Sequence, residues 1–134
     1  MTINTELIEK LIKAAREACK HSHCPHTRYA AGAAVLTDDG RVFSGCRIEN
    51  AAAGLTMCAC RNAIYRAVTD GFTDIHAVLT YIPGKIVKAP CGACRQVIYE
   101  FGPGAEIYCI CDTPEVLHRR MKDLLPEAFG PELP

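Results

Sequence analysis

The chain has 134 residues, a formal charge of zero from 15 Lys plus Arg against 15 Asp plus Glu, and 49% hydrophobic residues. That length supports one domain over 1–134 with a single core. Charge balance without a Lys/Arg-rich block argues against nucleic acid as a partner and leaves self-association open. No apolar run is long enough to span a bilayer. The N-terminal stretch is broken by Glu6, Glu9, Lys10 and Lys13 and does not read as a signal peptide, so a cytoplasmic protein is expected. Its nine cysteines then read as reduced thiols, some of them on a metal.

The spacing of Leu7, Ile8, Leu11, Ile12, Ala15, Ala18 and Cys19 predicts a helix over Thr5–Lys20. Asn4 or Thr5 can cap it, and Glu6 suits its first turn. A loop with Cys24-Pro25 follows. Ala31–Thr37 and Arg41–Cys46 read as a hairpin joined through Asp38-Asp39-Gly40, where Gly accepts the positive φ of the turn. After a loop from Glu49 to Thr56, a second helix is predicted from Cys58 to about Thr69, stopping near Gly71. Ile75–Ile82 reads as a strand. Pro90 introduces a third helix over Cys91–Phe101, ended by Gly102-Pro103-Gly104. Glu106–Cys111 reads as another strand, and a short helix is expected after Pro114. This order implies an α/β fold, a mixed sheet with helices on its faces. Cys19, Cys46, Cys109 and Cys111 fall inside these patterns and read as small buried hydrophobes.

Cys91-Gly92-Ala93-Cys94 is a C-x-x-C behind Pro90, a residue suited to a helix start. Both sulfurs then lie near one helix N-terminus, whose partial positive charge favours thiolates. Cys58 stands at the start of another helix. Three sulfurs at two helix starts can converge on one tetrahedral Zn²⁺ with a fourth position free. A redox pair remains the rival reading of the C-x-x-C.

Gly32-Ala33-Ala34, Asp39-Gly40-Arg41, Ile48-Glu49-Asn50-Ala51, Gly54-Leu55, Cys58-Ala59 and Pro90-Cys91-Gly92-Ala93-Cys94-Arg95-Gln96-Val97 occur in order. Leu124-Leu125-Pro126-Glu127-Ala128-Phe129 follows. Together, from Cys24 to Phe129, these segments resemble the small homotetrameric zinc-dependent cytidine deaminases. The resemblance implies a three-layer α/β/α sandwich around a mixed five-stranded sheet. It also implies a homotetramer, a place in pyrimidine salvage, and hydrolytic deamination at C4 of cytosine with loss of ammonia. It puts Zn²⁺ on Cys58, Cys91 and Cys94, with Arg61 beside them to offset the excess thiolate charge. Glu49 would take hydrogen bonds from the nucleoside sugar, Tyr29 would lie against the pyrimidine, and Ala59 would line the substrate pocket. Phe129 would reach a neighbouring subunit's site. Taken alone, Tyr29 and Phe129 are equally explained by core packing, and Arg61 by a solvated helix face.

Two positions depart from the resemblance. The family reads Cys-Ala-Glu-Arg where this chain has Cys58-Ala59-Cys60-Arg61, so Cys60 stands in place of the carboxylate that shuttles protons. A positioned shuttle is worth about 10²–10⁴-fold in rate. Cysteine is shorter by two bonds, and an ordinary thiol has a pKa of about 8.5. Slow or absent cytidine turnover is therefore expected. Cys60 could instead close a four-sulfur structural zinc site, although residues two apart on a helix point to different sides. It could also act as a nucleophile, but no base accompanies it. At the second position, Arg47 replaces the Asn that helps hold the sugar. Either Arg47 and Glu49 form an ion pair filling the sugar site, or Arg47 receives a phosphate or carboxylate on a modified cytosine compound. Two functions follow. One is a weakened or redirected deaminase. The other is an inactive zinc protein that serves a structural role or binds a pyrimidine ligand.

Overall fold

Asn4 starts the first helix, α1 (Thr5–Cys19): its Oδ1 accepts the Leu7 N–H at 2.9 Å, and Glu6 lies in the first turn. The structure is a computed structural model, and it describes residues 2–131, so the two ends of the 1–134 span lie outside the described residues. After α1 come β1 (Gly32–Thr37), β2 (Val42–Cys46), a 3₁₀ turn (Ala53–Leu55), α2 (Ala59–Thr69) and β3 (Ile75–Tyr81). α3 (Gly92–Phe101), β4 (Glu106–Ile110), β5 (Val116–Arg120) and the short α4 (Met121–Leu124) complete the chain. Among the described residues no helix is long and apolar enough to cross a membrane.

The five strands form one sheet in the order β2-β1-β3-β4-β5. β1 pairs antiparallel with both β2 and β3, β3 pairs parallel with β4, and β5 closes the far edge antiparallel to β4. The parallel pair is joined through α3, as a parallel connection requires a crossover. β1 is buried along its whole length, and its side chains alternate between two apolar layers. Ala34 and Leu36 pack under α1 with Leu11, Ala15 and Cys19. Ala33 and Val35 face the other layer, with Ala63 and Ile64 of α2 and Ile98 of α3. The result is an α/β/α sandwich around a mixed five-stranded sheet. Cys19, Cys109 and Cys111 are buried; Cys46 is half-buried.

The segment after Pro114 corrects the sequence reading. It forms β5 rather than a helix, and helical structure is confined to the four residues of α4. The stretch Val116-Leu117-His118-Arg119-Arg120 has no apolar alternation, because it is a charged edge strand. Its order comes from the ladder to β4 and from His118, which stacks on Tyr108 at 4.3 Å and meets Glu106 at 2.8 Å.

Two glycines shape this frame. Gly40 closes the β1–β2 turn at φ 89°. Gly45 lets β2 approach α2 so closely that a Cβ there would fall 2.5 Å from the Ala63 nitrogen and 2.9 Å from the Ala59 oxygen. Both of those atoms are backbone, which gives little. Gly45→Ala is therefore expected to lower stability by about 1–3 kcal/mol, the usual effect of overpacking, seen as a lower urea midpoint. An unchanged midpoint would mean that α2 is not held against β2 at this distance.

Candidate metal centre and cavity

α2 and α3 begin on the same side of the sheet, and each uses a cysteine as its N-cap residue. Cys58 precedes α2 and Cys91 precedes α3, and neither side chain makes a capping hydrogen bond. Their sulfurs are left free for other partners. Cys94, in the first turn of α3, is buried. The sulfurs of Cys58, Cys91 and Cys94 all lie within 4.8 Å of one another, with Cys91 and Cys94 3.5 Å apart. Bonds of about 2.3 Å to a tetrahedral Zn²⁺ place sulfurs about 3.8 Å apart, so this donor set fits the ion.

The electrostatics point the same way. The neighbouring Cys94 sulfur, then burial, push the Cys58 thiol up to about 12 against the Arg61 guanidinium. At Cys94 a hydrogen bond with Cys58 favours the thiolate, yet Cys60 and burial outweigh it and raise the thiol. Cys58 and Cys94 thus resist ionisation unless a cation sits beside them. Arg61 supplies part of that charge: its Nη2 donates to Cys58 Sγ at 3.3 Å, and the contact raises the guanidinium's own pKa. Its buried Nε has no hydrogen-bond partner among the described residues.

Beside the sulfurs lies a cavity of about 190 Å³. Ala59 and Cys60, the first two residues of α2, line it and are buried. Cys60 is not part of the group of three sulfurs that lie within 4.8 Å of one another. Tyr29, Arg47 and Lys88 also line the cavity. Lys88 was invisible to sequence reasoning; its one signal is its place three residues before Cys91.

Arg47 and Glu49 follow the end of β2, in a segment where Ile48 bridges His23 and Met57. The two side chains approach, with Arg47 Nε 3.6 Å from Glu49 Oε2. That is a charge contact too long for a hydrogen bond. Glu49 does not line the cavity. It is 5% exposed and accepts from the His26 N–H at 3.0 Å, the Thr27 N–H at 3.2 Å and the Thr27 hydroxyl. Thr27 Oγ1 in turn accepts the Tyr29 N–H at 3.1 Å, next to Arg28 at φ 63°. Glu49 therefore anchors the loop that carries Tyr29. Phe129 lies away from the cavity, 87% exposed, with its carbonyl held by Gln96 Nε2 at 2.7 Å.

The Thr27 hydroxyl above all, then the two backbone N–H groups and Arg47, hold the Glu49 carboxyl down to about 2, from 4.5. A depressed folded-state pKa favours the folded chain when the group is ionised. The contribution of Glu49 is then complete above about 4.5 and disappears as pH falls through about 2. Glu49→Gln is expected to be less stable than the parent above this window and to converge with it below. Urea midpoints of both proteins against pH test this, and parallel curves would contradict the anchoring role.

Comparison with known proteins places this geometry in context. Residues 5–111 match the family model described as the cytidine and deoxycytidylate deaminase zinc-binding region. A cytidine deaminase of Sporosarcina psychrophila is 37% identical over 126 residues, 93% of each chain. One from Mycobacterium tuberculosis is 42% identical over 116 residues, 87% of this chain and 84% of that one. The crystal structure of cytidine deaminase from Burkholderia pseudomallei superposes with a TM-score of 0.86 at 39% identity, covering 90% of this chain and 98% of the other. Fold, donor set and sequence agree, and the chain belongs to the cytidine and deoxycytidylate deaminase family.

Proposed function

We propose that this chain is a zinc-dependent hydrolase that deaminates cytosine nucleosides or related cytosine compounds, slowed by Cys60 in the place of a carboxylate. One observation carries the reading: the three clustered thiols border a cavity whose lining, among the described residues, includes Cys60 and no Asp, Glu or His. Cys58, Cys91 and Cys94 would hold the metal. Bound there, Zn²⁺ supplies a Lewis acid that makes water nucleophilic near neutral pH.

The chain's own residues do the rest. Arg61, on Cys58 Sγ, offsets the excess negative charge of three thiolates. The Tyr29 ring and Ala59 border the space for the pyrimidine, with the amine-bearing carbon towards the sulfurs. Cys60 is the side chain left to carry a proton from water to the ring nitrogen and on to the departing amine. Its short reach makes that transfer slow. The lack of a carboxylate also favours a second reading, an inactive relative that keeps zinc for structure and still holds a pyrimidine ligand. Ammonia release from a cytosine compound, abolished by chelation, separates the two.

The same reading includes assembly as a homotetramer in the cytoplasm and a role in pyrimidine salvage. Nine unpaired cysteines support a reducing compartment. Exposed Phe129, Leu55 and Ile48 at 87%, 69% and 46% support burial by further copies. Sedimentation equilibrium should give about four times 14.6 kDa. A stable monomer would remove the assembly and the role of Phe129 with it.

The decisive comparison is Cys60→Glu against the parent, with zinc content measured on both. We expect equal zinc and a rise in kcat/KM for cytidine of about 10²–10⁴-fold. Cys94→Ala should lose the metal. A zinc-loaded Cys60→Glu that is no faster would show that the missing carboxylate is not what limits turnover.

A further inference from the structure

The charged side chains of the cavity are all cationic. Arg47 and Lys88 line it, and among the described residues no carboxylate does. Both approach one aromatic ring: Arg47 Cζ lies 5.4 Å and Lys88 Nζ 4.7 Å from the Tyr29 centroid. Such contacts are weak and do not balance two positive charges. Lys88 has no carboxylate within 4.0 Å among the described residues. Arg47 has Glu49 at 3.6 Å, yet its buried Nε has no hydrogen-bond acceptor among the described residues. Glu49 meanwhile already takes three hydrogen bonds from residues 26 and 27 and lies outside the cavity lining. Among the described residues, the pocket thus presents one unpaired buried donor and two cations, with no carboxylate in its lining.

The geometry points to a cytosine compound carrying a phosphate or carboxylate on its N1 side as the preferred ligand, received by Arg47 and Lys88 beside Tyr29. This rests on the deaminase reading above and narrows its substrate class. An anion there accepts from Arg47 and from Lys88 Nζ, replacing an unpaired buried donor with a charge-assisted hydrogen bond. A neutral sugar can accept from that donor only as an uncharged hydroxyl, and it leaves Lys88 without a counter-charge.

The test is calorimetric titration of the zinc-loaded protein with four probes: cytidine, cytidine 5′-monophosphate, (cytosin-1-yl)acetic acid and inorganic phosphate. At least one of the two anionic cytosine compounds should bind about tenfold tighter than cytidine, which also tells phosphate from carboxylate. Inorganic phosphate should bind more weakly than that compound, and added salt should narrow the preference. Arg47→Asn and Lys88→Gln should each reduce the preference while retaining zinc. Lys88 is exposed, so its variant tests the idea even if Arg47→Asn does not fold. Equal affinity for cytidine, or a preference that survives both substitutions, overturns the proposal and leaves the deaminase reading standing. Inorganic phosphate binding as tightly as the monophosphate also overturns it, because the anion site would then ignore the base. If no cytosine compound binds the zinc-loaded protein, the deaminase reading fails first and this proposal with it.

Discussion

Like-charge crowding among Cys58, Cys91 and Cys94 is the constraint on which the rest of this site depends. Three sulfurs within 4.8 Å of one another cannot all ionise cheaply. The fold nevertheless brings them together through two helix starts on one face of the sheet, whose dipoles favour negative charge. Arg61 adds a third positive influence at 3.3 Å from Cys58. Each of these features weakens the penalty without removing it, and a bound dication does the remainder. The close approach of β2 to α2 at Gly45 belongs to the same account, because it packs β2 against the first turns of α2, the helix that Cys58 caps.

The cavity beside the sulfurs shows how local replacements act on a shared frame. Cys60 sits where a longer acidic side chain would extend into the cavity, and the buried thiol leaves that space lined without a carboxylate. Arg47 also lines the cavity. It brings a guanidinium next to Tyr29, while Glu49 turns to the loop at residues 26 and 27. Cys60 and Arg47 thus stand at separate points of the cavity lining, while the metal-capable group keeps its compact arrangement.

Much of this was legible in the sequence. Helical spacing located α1, Asp39-Gly40 located the first hairpin, and the C-x-x-C behind Pro90 located the start of α3, each within a residue or two. These signals are local: periodicity, turn chemistry and capping act between near neighbours in the chain. The misses are all tertiary. β5 carries no strand pattern because its order is supplied by β4 and by stacking on Tyr108. Lys88 has no motif, and only folding brings it to 4.7 Å from Tyr29. The bonds from His26 and Thr27 to Glu49 carry no sequence signal either, because these residues lie over twenty positions upstream.

Arg95 joins parts of the molecule that look unrelated along the chain. Its Nε holds the Pro90 carbonyl at 2.8 Å, and its Nη1 holds the Leu124 carbonyl at 3.0 Å. One rigid, planar group therefore clamps the entry to Cys91 and the end of α4. The C-terminal segment is by this route a brace for the turn that presents Cys91, although it contributes no sulfur. A displacement of the chain at Leu124 is therefore transmitted to the turn before Cys91 through a single side chain.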